Sequence, residues 1–398
     1  MPDRRLLFVQ SLADGLSMSD ACREFGISRP TGYDYKDRYD QEGVAGLLDR
    51  SRAPHHRPHV VDQSLVTQIL ALKARYPTWG PKKLKATLEA SGGSWPAAST
   101  IGEILKRAGL VKPRRRRSRC PVAPLAASIP DANDVWCVDF KGQFKLGNNA
   151  YCFPLTLTDL ASRYLLRCQA LPDICGAKAW PYFVGAFQEY GLPRAIRSDN
   201  GSPFASASVT GVTKLTLQLI KLGIRLERIA PGKPQQNGAH ERMHRTLKAE
   251  AIHPLSETFV DQQARFDRWQ LEYNFERPHE ALGQIPPGTV YAASTRPYPL
   301  VMPELEYPAG MRVTRVRQNG QIRWRGDLVY VSDVLIGEQV GLSNFDEYYH
   351  ALYVGHQPVA VLDERGPAFL RPVDAAPLIA RLSIAGNVNP PPASEVGA

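Results

Sequence analysis

The sequence lacks long hydrophobic runs and paired cysteines. No stretch of the 398 residues approaches the roughly 20 apolar residues of a membrane span. The opening segment, MPDRRLLFVQSLADG, contains acidic residues and too short an apolar stretch for a signal peptide. The six cysteines form no C-x-x-C pair, so we expect buried free thiols in a reducing compartment. These absences predict a cytoplasmic protein with no membrane partner.

Basic charge is in excess, and it lies at one end of the sequence. The chain has 49 Lys+Arg and 39 Asp+Glu, a formal net charge of +10. Residues 1–128 hold 22 basic and 12 acidic side chains, whereas residues 129–398 hold 27 of each. A basic balance favours a polyanionic partner, most often nucleic acid. The pattern predicts an N-terminal region that grips double-stranded DNA, although a basic arm that only increases solubility would give the same counts.

The first 50 residues have the pattern of a helix-turn-helix domain. We predict a helix over 4–14, a second helix capped by Ser19, a tight turn at Gly26 and a third helix capped by Ser28. The third helix has the residue types of a recognition helix in the major groove, and its predicted DNA contacts are Arg29, Thr31, Tyr33 and Lys36. A plain three-helix bundle would show the same pattern.

A second helical or winged DNA-binding unit is predicted over 60–112. Its first helix ends near Tyr76, its second runs from Trp79 to Ala90, and its third runs from Ser99 to Ala108. Predicted DNA contacts here are Lys82 and Lys83, followed by the basic run Arg114, Arg115, Arg116 and Arg117. Three histidines precede the unit, His55, His56 and His59, but no cysteine pair accompanies them at zinc-ligand spacing.

The pattern changes to alternating strands and helices from residue 134. The predicted order is three strands, helix, strand, helix, strand and helix, which is the order of an RNase H-like α/β fold with a mixed sheet. Short strands follow near the C-terminus and predict a small β-barrel. The chain is therefore predicted to be multidomain, with these parts: 1–50 helix-turn-helix, 60–112 second helical or winged unit, 113–130 basic and Pro/Ala linker, 131–295 catalytic core, 305–375 small β-barrel, and 385–398 disordered tail.

Three acids occupy positions where this fold would bring them together. Asp139 lies on the first core strand, Asp199 follows the fourth, and Glu241 lies near the start of a helix. Each alone has a structural explanation, such as a turn or a helix-dipole effect. Together they offer three hard oxygen donors, which suit two Mg²⁺ ions rather than zinc, with Mn²⁺ expected to substitute. Two such ions support in-line displacement at a phosphodiester.

The helix that carries Glu241 presents further side chains on the same face. His244, Arg245 and Lys248 lie three, four and seven positions after it. We predict that this face looks into the active site, with Arg245 and Lys248 contacting the DNA strand. Ordinary helix ion pairs remain the alternative. The other nearby acid, Asp159, is expected to cap a turn towards Ser162 or Arg163.

Four motifs occur in the order of a known family. They are WxxDF, SDNGSPF, GKPQQNGAHERMHRTLK and YNFERPHEALGQIPP. This series resembles the bacterial insertion-sequence transposases of family 481, in the DDE integrase superfamily that also contains retroviral integrases. The resemblance covers about residues 1–300. It departs from the superfamily in a longer gap between Asp199 and Glu241, with the additional residues expected around 202–214.

The resemblance implies a catalytic triad of Asp139, Asp199 and Glu241. It also implies cleavage at the ends of an element, transfer of a 3′-hydroxyl to target DNA, a homo-oligomer on DNA and a place at the bacterial nucleoid. The zinc site of retroviral integrases is replaced by helix-turn-helix units. Two alternatives stay open: an RNase H-type metal-dependent nuclease, and a DNA-binding repressor that does not use its triad. The YNFERPHEAL segment either packs against the core or contacts DNA.

Overall fold

The computed structural model describes residues 2–50, 61–111, 131–229 and 238–385. The predictions for the histidine-rich linker, the basic run, the loop before Gly238 and the C-terminal tail lie outside these residues, as does Cys120. The chain divides into two compact units, Met1–Asp62 and Gln63–Ala398. The other five cysteines are free, and only Cys175 is not buried.

The first unit is the predicted three-helix arrangement. It consists of α1 (Pro2–Ala13), α2 (Met18–Phe25) and α3 (Arg29–Glu42), followed by a 3₁₀ turn over Gly43–Leu47. Phe8, Ala21 and Leu47 form its buried centre. Gly26 adopts φ +65° between α2 and α3, a conformation that glycine reaches without a steric penalty.

Two serines cap these helices, one of them at an unexpected position. Ser28 accepts a hydrogen bond from the Thr31 backbone N–H, as predicted. The cap of α2 is Ser17 rather than Ser19. The physical reason is that an N-cap residue has an extended backbone. Ser17 has this conformation (ψ 148°), whereas Ser19 already lies inside the helix.

The second helical unit opens the larger part of the chain. It comprises α4 (Gln63–Arg75), α5 (Pro81–Ala90) and α6 (Ala98–Arg107). Its buried side chains include Ile69, Trp79, Leu84, Ile101 and Leu105. No strand occurs within 61–111, so in this segment the unit is helical rather than winged.

The core contains one mixed sheet. Its strands are β1 (Val135–Phe140), β2 (Phe144–Lys145), β3 (Tyr151–Asp159), β4 (Leu165–Leu171), β5 (Ala195–Ser198) and β6 (Arg225–Arg228). The order β4-β3-β1-β5-β6 forms the body of the sheet, and β2 pairs with one end of β3. The pairs of β3 with β1 and β4 are antiparallel, whereas β1, β5 and β6 run parallel. This arrangement confirms the predicted RNase H-like core.

Helices cover the sheet. They are α7 (Gly176–Tyr190), α8 (Lys214–Lys221), α9 (Gly238–Leu247) and α10 (Phe259–Leu271), and π turns over Lys248–Ile252 and Glu272–Glu276 extend α9 and α10. Phe183 and Phe187 of α7 pack with Trp136 of β1 in one apolar cluster. Met243 and Leu247 of α9 pack with Phe266 of α10 in another. These contacts fix α9 beside the sheet.

The C-terminal part is a half-barrel of short antiparallel strands. A sheet of five strands contains β7 (Arg312–Arg315), β10 (Gln339–Asn344), β11 (Tyr349–Val354), β12 (Gln357–Asp363) and β13 (Ala368–Phe369), while β8 (Gln321–Trp324) pairs with β9 (Asp327–Tyr330). The last helix is α11 (Pro372–Ala385). The multidomain prediction is confirmed. None of the helices in the described ranges is long and apolar enough to cross a bilayer.

Candidate active site

The pairing of β1 with β5 brings the two predicted aspartates together. The parallel register joins Val135 to Ala195 and Cys137 to Arg197, always 60 positions apart. Asp139 and Asp199 are separated by the same 60 positions, so continuing the register by two residues places them side by side. Asp199 lies in the turn after β5, where its Oδ1 accepts the Gly201 backbone N–H at 3.1 Å.

Glu241 reaches the same place from the first turn of α9. A pocket of about 400 Å³ is lined by Asp139, Glu241, Arg245 and Lys248, together with Phe140, Lys141, Gly142 and His244. The predicted helix face therefore points towards the site. Arg245 and Lys248 are exposed there, so a ligand that approaches from solvent can contact both side chains.

The three acids interact electrostatically. Burial raises the pKa of Asp139 from 3.8 to about 7, and the charges of Asp199 and Glu241 add to this increase. A carboxylate that is partly removed from water and placed near two others is costly to ionise. A cation bound among these oxygens would remove that cost, and carboxylate oxygens are the donors that Mg²⁺ prefers. The residues present therefore fit the implied metal ion.

A buried network of hydroxyls and imidazoles supports the wall behind Asp139. Thr156 lies opposite Asp139 in the β1–β3 register, and its hydroxyl donates to the Asp139 carbonyl oxygen at 3.1 Å. That hydroxyl also lies 2.8 Å from Nε2 of His240 and 2.7 Å from Nε2 of His244. Thr158 contacts the other nitrogen of His240 at 2.9 Å. Burial lowers the pKa of His240 to about 3 and that of His244 to about 2, so both rings are neutral.

Asp159 has a different role from the other acids of the sheet. Its Oδ2 accepts hydrogen bonds from the backbone N–H and the hydroxyl of Ser162, at 2.8 and 2.6 Å. Its Oδ1 accepts the backbone N–H of Asn133 at 2.8 Å. Asp159 is fully buried, and it caps the turn that precedes β4, as predicted.

The two lysines predicted to bind DNA from the second helical unit have protein partners. Lys82 forms an exposed ion pair with Glu280 at 2.7 Å. Lys83 is half-buried and donates to the backbone carbonyl of Pro278. Burial lowers the pKa of Lys83 to about 8. Lys83 thus points towards the core rather than towards open surface, because the unit docks against the segment that follows α10.

That segment, YNFERPHEAL, packs against the core. Asn274 exchanges two hydrogen bonds with the backbone of Leu165, at 2.8 and 2.9 Å. Arg277 binds both carboxylate oxygens of Glu250, at 2.6 and 2.7 Å, and each side chain is 10% exposed. Trp269 donates to the same carboxylate at 2.9 Å. Of the two interpretations left open by the sequence, the structure favours packing.

The predicted contacts of the recognition helix are mostly exposed. Arg29, Tyr33 and Lys36 lie on the surface of α3, although Lys36 pairs with Asp40 at 2.6 Å. The Thr31 hydroxyl is 2.8 Å from that of Ser28 and so belongs to the helix cap. The Arg114–Arg117 run lies outside the described residues.

Sequence reasoning missed several residues around the site. Thr156 and Thr158 gave no signal because alternating apolar and hydroxyl residues are ordinary in a buried strand. His240 gave none because a single histidine in the first turn of a helix does not reveal that it is buried against that strand. Lys141 follows the WxxDF motif by one residue and lines the pocket. Its position two residues after Asp139 was the available signal.

Comparison with known proteins identifies matching regions along the chain. An integrase core domain matches residues 130–234, and a second integrase core domain family matches residues 222–287. A helix-turn-helix domain matches 4–55, and a homeodomain-like domain matches 31–105.

Two relatives are insertion-element proteins. One is the uncharacterized 31.7 kDa protein of insertion element IS407 from Burkholderia multivorans, 26% identical over 71% of this chain and 92% of the relative. The other is the uncharacterized 39.2 kDa protein of insertion element IS476 from Xanthomonas euvesicatoria, 29% identical over 74% of this chain and 78% of the relative.

Integrases are among the similar solved structures. The HTLV-2 integrase catalytic core domain in complex with magnesium aligns with 40% of this chain and 97% of its own, at 14% identity and a TM-score of 0.33. The simian T-cell lymphotropic virus intasome aligns with 72% of this chain and 96% of its own, at 15% identity and a TM-score of 0.36. The matched regions show that the chain has an integrase core domain preceded by helix-turn-helix domains, and the chain is similar to the two insertion-element proteins over about 70% of its length.

Proposed function

We propose that the protein is a transposase that binds the ends of an insertion sequence and catalyses metal-dependent DNA cleavage and strand transfer. The observation that carries the proposal is the meeting of Asp139, Asp199 and Glu241 from two parallel strands and a helix. The family number 481 is part of the proposal, as are the domain boundaries given above.

The three acids would hold two Mg²⁺ ions, or Mn²⁺ in their place. When bound, such ions activate the attacking oxygen of water or a 3′-hydroxyl and stabilise the leaving oxygen of the phosphodiester. The half-buried carboxylate of Asp139 would lose its proton when a cation binds beside it, because its pKa is raised by burial and by the neighbouring acids. Asp199 and Glu241 are exposed and complete the donor set from either side.

Basic side chains at the pocket would orient the DNA strand. Arg245 and Lys248 lie on the same wall as Glu241, and Lys141 lies next to Asp139. Cations beside the acids offset the repulsion between carboxylates and DNA phosphates and hold the scissile phosphate in place. We therefore assign Arg245 and Lys248 to DNA binding at the reacting end.

Sequence recognition and electrostatic attraction would come from different N-terminal segments. Residues 1–50 contain 7 Lys+Arg and 9 Asp+Glu, which gives a net charge of −2. Residues 51–128 contain 15 Lys+Arg and 3 Asp+Glu, which gives a net charge of +12. The helix-turn-helix domain, with Arg29, Tyr33 and Lys36 exposed, is suited to reading base edges. The segment with Arg114–Arg117 is suited to phosphates. Lys82 and Lys83 would reach DNA only through a change in their protein contacts.

The partners of this activity are the element's terminal repeats and the target DNA. Strand transfer joins at least two DNA ends to one target, so we propose a homo-oligomer assembled on DNA. The place of action is the bacterial cytoplasm, at the nucleoid, where such DNA is found.

The experiment is strand transfer of a labelled terminal duplex into a plasmid in the presence of Mg²⁺. Asp139→Asn, Asp199→Asn and Glu241→Gln should each abolish cleavage and transfer, because each replaces a metal-binding charge with a neutral amide. Retention of terminal-DNA binding is expected in a mobility-shift assay. The matched control is Asp327→Asn, which neutralises an exposed acid of the C-terminal half-barrel and should leave all three readouts unchanged.

The same assay separates the alternatives. Cleavage without joined products would indicate a nuclease, and DNA binding without either product would indicate a repressor. Near-normal activity in one of the triad variants would remove that residue from the site.

A further inference from the structure

A histidine shares the wall of the acidic pocket with Asp139. His244 is 7% exposed, and its Nε2 lies 2.7 Å from the Thr156 hydroxyl. The same hydroxyl lies 2.8 Å from Nε2 of His240 and donates to the Asp139 carbonyl oxygen at 3.1 Å. One hydroxyl therefore has three partners, and it has only one proton to donate.

That proton determines which nitrogens of the two histidines are protonated. The Asp139 carbonyl oxygen can only accept, so the Thr156 proton points to it. Nε2 of His240 and Nε2 of His244 must then each donate a proton to the hydroxyl oxygen. A neutral imidazole carries one proton, so Nδ1 of both rings is an acceptor. Nδ1 of His240 is satisfied by the Thr158 hydroxyl at 2.9 Å.

Nδ1 of His244 instead faces a carboxylate. It lies 3.6 Å from Oδ2 of Asp139, which is beyond hydrogen-bond distance. A nitrogen lone pair and a carboxylate oxygen repel each other unless a proton or a metal cation lies between them, and at 3.6 Å a shared proton does not bridge the two atoms. Two donors bonded to one ion at about 2.1 Å, with roughly 90–120° between the bonds, are about 3.0–3.6 Å apart. The observed separation therefore matches a shared cation.

His240 belongs to the same cluster but is not equivalent to His244. The nearest ligand atoms of Asp139, His240 and His244 all lie within 4.8 Å of one another. Both nitrogens of His240, however, are engaged by hydroxyls of β3. His240 is thus a positioning residue: through Thr156 it helps to set the protonation pattern that leaves Nδ1 of His244 unprotonated.

We infer that Nδ1 of His244 is a metal ligand that shares one divalent cation with the Asp139 carboxylate. This inference rests on the proposed function, because it concerns one of the ions that the three acids would hold. Imidazole nitrogen suits transition metals better than Mg²⁺. The site is therefore expected to bind Mn²⁺ more tightly than Mg²⁺, whereas carboxylates alone would discriminate little.

The direct test is pulsed EPR of the full chain with Mn²⁺ alone, without DNA. A nitrogen bonded to Mn²⁺ gives a ¹⁴N modulation of the electron spin echo, and the wild-type protein should show it. His244→Leu, which removes the donor, should abolish the modulation and raise the Kd for Mn²⁺ about tenfold or more in calorimetry. His244→Asn offers an oxygen in place of nitrogen, so it should lose the modulation and shift the preference towards Mg²⁺.

His253→Leu is the matched control, because His253 is an exposed histidine that lies after α9. It should leave the modulation and both affinities unchanged. Absence of ¹⁴N modulation in the wild-type protein overturns the inference without depending on whether any variant folds. Persistence of the modulation in folded His244→Leu would overturn it as well.

The outcome is distinguishable from failure of the proposed function. If the triad variants lose strand transfer but Mn²⁺ shows no nitrogen coupling, the transposase proposal stands and the role of His244 falls. If nitrogen coupling is present but the triad variants keep their activity, the metal site exists and the proposed reaction is wrong.

Discussion

Neutralising Asp139 should make the stability of the metal-free protein less sensitive to a rise in pH from about 5 to about 8. The pKa of this carboxyl rises from 3.8 to about 7 on folding, chiefly because of burial and then because of Asp199 and Glu241. An acid whose pKa is raised in the folded state stabilises the protein fully below pH 3.8, and this contribution is lost as the pH rises through about 7. Asp139→Asn removes the ionisable group, so the variant should not show this loss of stability.

The size of the effect follows from the pKa change. At about 1.4 kcal/mol per pKa unit, the full change corresponds to about 4 kcal/mol. The Asp139 side chain is 24% exposed, so solvent screens part of the charge. Between about pH 5 and about pH 8, we expect wild-type stability to fall by about 1–3 kcal/mol more than that of the variant.

The assay is urea unfolding in EDTA, followed by tryptophan fluorescence, since Trp136 of β1 is fully buried beside this site. Asp327→Asn is the control and should follow the wild type at both pH values. Added Mg²⁺ should stabilise the wild-type protein by about 1.4 kcal/mol at ten times its Kd and leave Asp139→Asn nearly unaffected. If the free energy of unfolding changed with pH equally in the wild type and in Asp139→Asn, the electrostatic account of the site would be refuted.

Three further predictions concern charges outside the triad. Replacing Arg245 and Lys248 together by alanine should lower the strand-transfer rate at limiting DNA, because two phosphate contacts are lost; unchanged kinetics with an unchanged Tm would place them away from DNA. Arg277→Met should destabilise the protein by about 3–5 kcal/mol in urea unfolding, because the buried Glu250 carboxylate loses its cationic partner. The double variant with Glu250→Gln should recover part of that loss, and strict additivity would contradict the pair's buried role. Replacing the Arg114–Arg117 run by alanines should flatten the log–log salt dependence of DNA binding by about 0.9 per lost phosphate contact, with sequence preference retained; lost preference at an unchanged slope would mean that the run reads bases.

The sequence alone determined the order of elements and predicted the three acids of the candidate site. The sequence placed the ends of the helices predicted over 4–14, Trp79–Ala90 and Ser99–Ala108 within two residues of those in the structure, because core-facing positions repeat with the period of the helix. The four motifs indicated the integrase family, which the matched domains and the insertion-element relatives support. The cap of α2 was misplaced because Ser17 and Ser19 are equally good cap residues in sequence, and only the backbone angles separate them.

Tertiary structure decided what those residues contact. A lysine in a basic cluster is predicted from sequence to contact DNA, yet Lys83 is half-buried and contacts Pro278. The sequence does not reveal this contact because α5 packs on the segment after α10, which lies about 200 positions later in the chain. The ion pair of Glu250 with Arg277 is equally invisible in the sequence, since it forms only when the π turn after α9 meets the end of α10. The pKa of Asp139 depends on burial and on the charge of Asp199, and the orientation of His244 depends on Thr156 across the sheet. Local sequence fixes which groups are available, but strand register and packing fix their distances, and those distances set the electrostatics of the site.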